Sequence, residues 1–223
     1  MSSIPQNDKK KEQVVVDRDD KDLKNLLLIF TRNPELGKCK TRLAATIGNQ
    51  KALDIYNFLL QHTVVVTKDV KAAKQVWYSE EIWEKDIWDA GIFTKKLQQG
   101  ADLGARMALA FQEGFANGFE RIIIIGSDMY DLTTTDIDQA FKALSTEDMV
   151  IGPAQDGGYY LLGMTTFTKG VFQEKAWGTD TVLKDTLADL HDKKIHSLET
   201  RNDIDLYEDI KDIKAFQPYL DTI

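Results

Sequence analysis

Four basic side chains lie within one short loop, where together they can bind a phosphate group. They are Arg32, Lys38, Lys40 and Arg42. The loop also holds Gly37 and leads into a predicted helix, whose first N–H groups are free to bind an anion. On charge alone, a solvated basic loop is an equally good interpretation. The loop follows an apolar run, residues 26–30, however, and this position favours a function. It is not a P-loop, because the stretch GKCKT lacks the Gly-Lys-Ser/Thr ending.

Asp128 is the second candidate for chemistry. Residues 121–132 read RIIIIGSDMYDL, and the four isoleucines are typical of a strand that is buried on both faces. A carboxylate just beyond such a strand lies where open α/β sheets bind ligands. It can hold Mg²⁺ or Mn²⁺, which take few protein ligands and keep water and phosphate oxygens. Because Asp also caps turns and helices, we assign that simpler role to Asp131 and the metal to Asp128.

Two further acidic segments are ambiguous by themselves. Asp156-Gly157-Gly158 is a good hairpin turn, although two glycines also let the backbone approach a ligand closely. Residues 203–209, DIDLYED, are typical of a helix start, and they offer a second metal ligand only if a metal site lies nearby. No nucleophile with a neighbouring base is identifiable, since a G-x-S-x-G stretch is absent. We interpret Cys39 as incidental to the chemistry.

Short apolar runs alternate with amphipathic stretches, which predicts strands that alternate with helices. The predicted strands are residues 26–30, 76–78, 93–97, 122–125, 149–151, 159–164 and 195–198. The predicted helices are residues 43–47, a helix capped by Asn49, 102–119, a helix capped by residues 133–135, a helix capped by Thr179 that runs to residue 190, and 206–216. This order predicts an α/β fold, with a mostly parallel sheet between helices and one antiparallel excursion around Gly157. The basic loop and Asp128 then lie at the same edge of the sheet.

The composition is that of an ordinary soluble protein. A chain of 223 residues can form one α/β core, and we divide it into a polar N-terminal extension, residues 1–24, and a single domain, residues 25–223. The net charge of −8, from 28 basic and 36 acidic residues, argues against a nucleic-acid partner. No apolar run is long enough to span a membrane, and the start of the chain is not signal-like. A cytoplasmic location without a membrane partner is expected, and the oligomeric state is left open.

Six segments of the chain resemble, in order, motifs of the GT-A-type nucleotide-diphospho-sugar transferase superfamily. They are FTRNPELGKCKTRLA (residues 30–44), ADLGARM (101–107), IIGSDMYDL (124–132), GPAQDGGYYLLG (152–163), WGTDTV (177–182) and DIDLYEDI (203–210). The ordered set is specific, whereas any one segment is not. Within the superfamily the chain is most similar to small bacterial family A glycosyltransferases associated with radical-SAM and selenobiotic proteins. Molybdenum-cofactor and phospholactate guanylyltransferases are more distant relatives.

The resemblance implies a Rossmann-like three-layer α/β/α sandwich, the GT-A fold, that binds a nucleotide or nucleotide-sugar with Mg²⁺ or Mn²⁺. It implies that Asp128 binds the metal and that Asp205 completes the metal site. Lys40 and Arg42 match the family's phosphate contacts and, with Asp128, are the expected catalytic residues. The remaining expected nucleotide contacts are Arg32, Gly37, Asp102, Arg106, Asp156, Gly157 and Gly158, of which Asp102 and Arg106 can instead contact the acceptor.

Departures from the family pattern leave the substrate open. Tyr130, after Met129, stands where the family usually has Pro, and Leu206 and Tyr207 replace a Thr-Pro pair. The resemblance implies a metal-dependent transferase with a nucleotide-activated donor and a small-molecule acceptor. The preferred interpretation is a glycosyltransferase that uses an NDP-sugar. The alternative is a nucleotidyltransferase that joins an NTP to a phosphorylated acceptor and releases pyrophosphate. A non-catalytic nucleotide-binding protein is the third possibility.

Overall fold

A seven-stranded sheet organises residues 24–220, which are the part of the chain that the computed structural model describes. The strands are β1 (Asn25–Thr31), β2 (Ala73–Tyr78), β3 (Thr94–Leu97), β4 (Arg121–Ile125), β5 (Met149–Pro153), β6 (Tyr159–Met164) and β7 (Ile195–Ser197). They lie in the order β3-β2-β1-β4-β6-β5-β7, and β6 runs antiparallel to both of its neighbours. The predicted fold, with its one antiparallel excursion, is therefore confirmed. The predicted extension, apart from Lys24, lies outside the described residues.

Helices cover both faces of the sheet. They are α1 (Thr41–Ile47), α2 (Asn49–Thr67), α3 (Leu103–Ala116), α4 (Thr134–Ala143), α5 (Val182–Asp189) and α6 (Gln217–Leu220). Successive residues of β1 show the two layers, since Leu27 and Ile29 pack with side chains of α2 and α4, whereas Leu26 and Leu28 pack with those of α3. All four are fully buried, which explains why this strand shows no alternation of apolar and polar residues. None of these helices, within the described residues, has the length and apolar character needed to cross a membrane.

The end of the chain packs against the first two helices. Ile210 and Phe216 are fully buried in one cluster with Leu43 of α1 and Ile55 of α2. This packing brings the acidic segment, residues 203–209, beside the start of α1, where the basic loop ends. The position of the acidic segment thus depends on apolar contacts that follow it in the chain.

The predicted last helix, residues 206–216, is wrong. Single turns of 3-10 helix occupy Tyr207–Asp209 and Lys214–Phe216, and Ile213 between them is extended, with φ −92° and ψ 117°. The Asp209 carboxylate accepts hydrogen bonds from the N–H groups of Asp205, at 2.9 Å, and Leu206, at 2.5 Å. These bonds satisfy the backbone locally and compete with a helix. The acidic segment is consequently a bend followed by a single turn.

Two predicted helix caps also differ from the structure. Gly48 is the N-cap of α2, and Asn49 is its first helical residue, with no side-chain capping bond. Thr179 closes its own turn by donating from Oγ1 to the Ala176 carbonyl at 2.8 Å, and α5 begins later, at Val182. By contrast, Thr133 caps α4 as predicted, in a capping box with Asp136.

Candidate functional site

The carboxyl ends of β1 and β4 bring the basic loop and Asp128 together. The two strands are parallel neighbours, with Ile29 paired to Ile125, so the residues that follow them share one edge of the sheet. Lys40, in the loop after β1, donates from Nζ to Oδ2 of Asp128 at 2.9 Å. A cation and a carboxylate that are distant in sequence therefore form one site.

Lys40 reaches this carboxylate from an uncommon backbone conformation. Its φ of 48° and ψ of 47° are left-handed, which a residue with a Cβ seldom adopts. Its side chain is only 7% exposed. Burial lowers the pKa of Lys40, but the charge and hydrogen bond of Asp128 outweigh burial and raise the pKa overall. For Asp128, burial raises the pKa, but the charge of Lys40 outweighs it and the net change is downward. Both groups are therefore charged at neutral pH.

Two more carboxylates lie beside this pair, on the acidic segment after β7. The N–H of Ile204 donates to the Asp128 carbonyl at 3.3 Å, which places Asp203 and Asp205 near Asp128. Asp205 accepts from Nη1 of Arg42 at 2.9 Å. Burial, followed by the negative charge of Asp128, raises the pKa of Asp203 to about 6. Sequence reasoning chose Asp205 and missed Asp203, although the first position of the DID motif was a visible signal.

We expect Asp203→Asn to stabilise the protein at alkaline pH and to change little in acid. Since the folded-state pKa of Asp203 lies near 6, above the unfolded value of 3.8, its stabilising contribution is complete below pH 3.8 and is lost as the pH rises through about 6. The Asn side chain has no such loss. We expect Tm to rise by about 2–5 °C at about pH 8, allowing for solvent screening, and to match the parent near about pH 4. Thermal unfolding at both pH values measures this. The exposed Asp131→Asn is the control, and a shift that is independent of pH would contradict the prediction.

A buried hydroxyl cluster holds the two strand ends in place. Tyr56 of α2 accepts at Oη from the Arg32 N–H at 2.9 Å. The same Oη lies 3.2 Å from Ser127 Oγ and 3.3 Å from Thr31 Oγ1. All three hydroxyl residues are almost fully buried, and a buried polar network that is satisfied in this way is rigid. Tyr56 therefore positions Arg32 and, through Ser127, Asp128. The sequence analysis had not included Tyr56 among the site residues.

A large polar cavity opens at this edge of the sheet, with a volume of about 800 Å³. Its basic lining residues are Arg32, Lys38, Lys40, Arg42 and Arg106. Its acidic lining residues are Glu80, Asp102, Asp128, Asp156, Asp203 and Asp205. This volume lies in the range of small-molecule sites, and a wall of Lys and Arg side chains suits a polyphosphate. Gly37, which has a φ of 76°, lines neither this cavity nor the apolar cavity described below.

Asp102 and Arg106 lie on the wall of the polar cavity, where each already has partners. Asp102 is the N-cap of α3 and accepts from the Ala105 N–H at 2.8 Å. Arg106 donates from Nη1 to Oε1 of Gln98 at 3.5 Å. Gln98 in turn donates to backbone carbonyls at the ends of β1 and β2. Asp102 thus shapes the wall by starting α3, while Arg106 is a cation that the neighbouring strand ends hold in position.

The Asp156-Gly157-Gly158 turn joins β5 to β6 and packs on the loop before α5. Asp156 accepts from the Gly158 N–H at 2.9 Å, and the Gly157 carbonyl accepts from the Leu183 N–H at 2.8 Å. A Cβ at Gly157, where φ is 87°, would lie 2.2 Å from the carbonyl oxygen of Asp180. Glycine is therefore required at this position by a contact within the protein, while Asp156 and Gly158 line a cavity.

We expect Gly157→Ala to destabilise the protein by about 2–4 kcal/mol, against about 1–2 kcal/mol for the matched change Gly118→Ala. Both glycines have a positive φ, 87° and 90°, so both variants carry the strain of a left-handed alanine. Only at Gly157 does the new Cβ meet rigid backbone, since nothing lies within 4 Å at Gly118. Urea unfolding of the two variants measures the difference. Equal losses would show that the contact with Asp180 is not the reason for the glycine.

The carboxylates at this edge fit a hard cation that binds few protein groups. Asp128, Asp203 and Asp205 supply the oxygen ligands that Mg²⁺ and Mn²⁺ prefer. The repulsion between Asp128 and Asp203, which after burial contributes most to the raised pKa of Asp203, is of the kind that a bound cation relieves. Among residues 24–220, no group of three or more His, Cys, Asp or Glu side chains is arranged to hold a metal ion. A metal here would therefore use one or two carboxylates and take its other ligands from water and phosphate.

Several solved structures are similar to this chain. A protein from Desulfovibrio desulfuricans G20, provisionally assigned as a nucleotide-diphospho-sugar transferase, has a TM-score of 0.79 and 29% identity, covering 89% of this chain and 94% of that one. A cytidylyltransferase from Leptospira borgpetersenii has a TM-score of 0.52 and 14% identity, covering 89% and 93%. A CMP:2-keto-3-deoxy-manno-octonic acid synthetase in complex with CTP has a TM-score of 0.51 and 9% identity, covering 87% and 98%. No match was found among curated proteins.

The sheet and these likenesses define the chain as an α/β protein with the fold of nucleotide-sugar transferases and nucleotidyltransferases. A family model narrows this further, because it matches residues 59–179, more than half of the chain. The chain belongs to that family, described as "Uncharacterized protein conserved in bacteria (DUF2064)". The matched residues include Asp128 and the Asp156-Gly157-Gly158 turn, whereas Lys40 and Asp203 lie outside them.

Proposed function

We propose that this protein is a metal-dependent transferase with a nucleotide-activated donor, namely a glycosyltransferase that uses an NDP-sugar. One observation carries the proposal, namely that two cavities adjoin at the carboxyl edge of the sheet and share Asp128, Asp156 and Asp203. The polar cavity suits the donor diphosphate. The second cavity, of about 240 Å³, is mostly apolar and suits an acceptor. Group transfer requires two substrates to meet, and the likeness to the Desulfovibrio protein supports an NDP-sugar as the donor.

In this proposal the basic loop binds the donor diphosphate. Lys40 and Arg42, with Arg32, neutralise its oxygens by charge-assisted hydrogen bonds. Asp128 and Asp205 would hold Mg²⁺ or Mn²⁺. The bound ion would neutralise negative charge on the departing diphosphate. In the free protein Lys40 bonds Asp128 and Arg42 bonds Asp205. Phosphate oxygens compete for the two cations and so free the two carboxylates, and for this reason we expect metal and donor to bind together.

The transfer step takes place where the two cavities meet. The acceptor oxygen forms a bond to the anomeric carbon of the sugar while the bond from that carbon to the diphosphate oxygen breaks. The nucleoside diphosphate leaves, and the acceptor proton passes to a carboxylate, for which Asp156 and Asp203 are placed. The Lys and Arg side chains of the polar cavity stabilise the negative charge that develops on the leaving group.

Nucleotidyl transfer is the second candidate. It is favoured by the fold that the chain shares with a cytidylyltransferase and with a synthetase in complex with CTP. The five basic groups of the polar cavity also suit a triphosphate as well as a diphosphate. In that reaction an oxygen of a phosphorylated acceptor bonds to the α-phosphorus of an NTP, and pyrophosphate leaves. The two chemistries differ in the released product, which can be measured directly.

The test incubates the full chain with Mg²⁺ or Mn²⁺ and with separate panels of NDP-sugars and NTPs. Calorimetry is expected to show tighter binding of one nucleotide class with metal than with EDTA. Release of a nucleoside diphosphate from an NDP-sugar supports the glycosyl proposal, whereas pyrophosphate from an NTP overturns it in favour of nucleotidyl transfer. Nucleotide binding that does not depend on metal, together with no turnover in either panel, would overturn both chemistries and indicate a non-catalytic binding protein.

A further inference from the structure

The apolar cavity lies between α3, β4, β6 and the loop before α5, and it adjoins the polar cavity. Aromatic side chains form much of its wall, namely Phe30, Tyr159 and Trp177, together with Met107 of α3. Trp177 is held against α3, since a Cβ at Gly104 would come within 2.5 Å of its indole ring. With a volume of about 240 Å³, the cavity lies just below the usual range for drug-sized ligands, so it fits a compact group.

The charged side chains that line the apolar cavity are all acidic. No Lys, Arg or His side chain is among the described residues that line it, whereas Asp128, Asp156 and Asp203 do. Within the described residues, Asp128 is the only one of these carboxylates that forms a salt bridge, with Lys40. An anionic ligand group in the cavity would lose its hydration and lie nearest to carboxylates, which is unfavourable. A neutral or cationic group incurs no such cost.

The tyrosines of the wall present no free hydroxyl to the cavity. The Tyr159 hydroxyl is buried out of reach of water and makes no hydrogen bond within the described residues. The Tyr160 hydroxyl donates to the Glu199 carbonyl at 3.1 Å. The carboxylates are therefore the groups of the wall that can accept a hydrogen bond from a hydroxyl or amino group of a ligand.

We propose that the apolar cavity selects a small neutral or cationic alcohol or amine with an aromatic or aliphatic body, and that the shared carboxylates accept a hydrogen bond from its hydroxyl or amino group. This ligand is the acceptor if the proposed transferase function is correct, and to that extent the inference rests on it. The cavity excludes carboxylates and phosphates from its interior. The nucleophilic oxygen or nitrogen of the bound molecule lies toward the shared carboxylates, and its apolar body lies between Trp177 and Met107.

Three probes of similar shape and different charge test the selectivity: benzyl alcohol, benzylamine and benzoate. Ligand-observed NMR on the full chain, at several probe concentrations, gives their relative affinities. Benzyl alcohol and benzylamine are expected to bind with a Kd of roughly millimolar size, as suits fragments, and benzoate at least about tenfold more weakly. Benzoate binding as tight as the alcohol, or no binding of the alcohol and the amine, would overturn the proposal.

Variants locate the binding and test the role of the carboxylates. Trp177→Ala is expected to abolish binding, while Trp83→Ala, whose indole bonds Glu81 outside this cavity, leaves it intact. Asp156→Asn keeps the shape of the lining and removes one negative charge, so we expect the preference for benzylamine over benzoate to fall by at least about threefold. An unchanged preference would overturn the charge selectivity. If the Trp177 variant does not fold, Asp156→Asn decides.

Nucleotide binding in the same samples separates this inference from the proposed function. If the probes bind as expected but no nucleotide binds with Mg²⁺ or Mn²⁺, the transferase proposal fails while the ligand class of the cavity stands. If nucleotide binds but benzoate competes with benzyl alcohol on equal terms, the proposed function stands and the charge selectivity fails.

Discussion

Asp128→Asn is expected to lower the affinity for nucleotide in the presence of Mn²⁺ by at least about 100-fold, and activity by a similar factor. The substitution keeps the size and one oxygen of the side chain, so the hydrogen bond from Lys40 can survive. It removes the negative charge that would hold the cation. Without that charge, Asp205 is the remaining carboxylate of the proposed metal pair, and it bonds Arg42. The variant is expected to fold, but metal should no longer increase its affinity for nucleotide.

Asp131→Asn is the matched control for this experiment. Asp131 lies three positions further along the same loop, its side chain is exposed, and it lines neither cavity. Isothermal titration with nucleotide, in Mn²⁺ and in EDTA, compares both variants with the parent. The parent and the control should bind more tightly in Mn²⁺ than in EDTA, and Asp128→Asn should bind equally in both. If Asp128→Asn keeps the full response to Mn²⁺, the metal assignment fails.

The sheet was predictable because its central strands are buried on both faces. The runs at residues 26–30 and 122–125 contain no polar residue, and the structure places them as adjacent parallel strands in the middle of the sheet. Once these strands are adjacent, their carboxyl ends must share an edge. The meeting of Lys40 with Asp128 follows from that topology together with the left-handed backbone of Lys40, since no local pattern links two residues that are far apart in the sequence.

The position of Asp203 beside Asp128 was not predictable from the sequence. It depends on a bend that Asp209 closes by accepting two backbone N–H groups, and on the burial of Ile204 between the two carboxylates. A helix start, the expected conformation, would have directed these side chains differently. The apolar cavity was equally unpredictable from the sequence. Its wall combines residues from β1, α3, β6 and a loop, and only their packing brings them together.

Two residues that depart from the family pattern have different surroundings in the structure. Met129 is buried and lines the apolar cavity. Tyr130 packs instead against Phe216 and Phe58, with ring centroids 5.0 and 6.0 Å away. Of the two, only Met129 contacts the cavity to which we assign a ligand, so it is the better candidate for an effect on substrate choice. Tyr130 stabilises the packing of the chain end on α2.

Lys40→Met is expected to destabilise the protein by about 2–3 kcal/mol near neutral pH. Loss of one partner of a buried ion pair costs about 3–5 kcal/mol, because the other charge is left uncompensated. The lower figure applies here since the Asp128 side chain is 37% exposed and is partly screened by solvent. Urea unfolding measures the loss, and Lys68→Met, at an exposed position at the end of α2, is the control for a change of one charge.

The pH dependence of this loss identifies its cause. The pKa of Asp128 is lowered in the parent, despite burial, by the charge of Lys40. The stabilisation from the pair is therefore present above the unfolded-state pKa of 3.8 and is lost as the pH falls through the lower folded-state value. The difference between Lys40→Met and the parent should thus be largest above about pH 6 and should narrow in acid. A constant difference would instead indicate loss of packing by the lysine stem.

The double variant, Lys40→Met with Asp128→Asn, completes the argument. If the cost of Lys40→Met comes from an uncompensated carboxylate, removal of that charge should restore at least about half of the lost stability, since residues in direct contact are not additive. Nucleotide binding should not recover, because the proposed site then lacks both the phosphate-binding cation and the metal-binding carboxylate. Recovery of stability without recovery of binding would show that the two charges balance each other in the free protein and are each required separately by the ligand. Recovery of both stability and binding would mean that the ion pair contributes only to the stability of the fold.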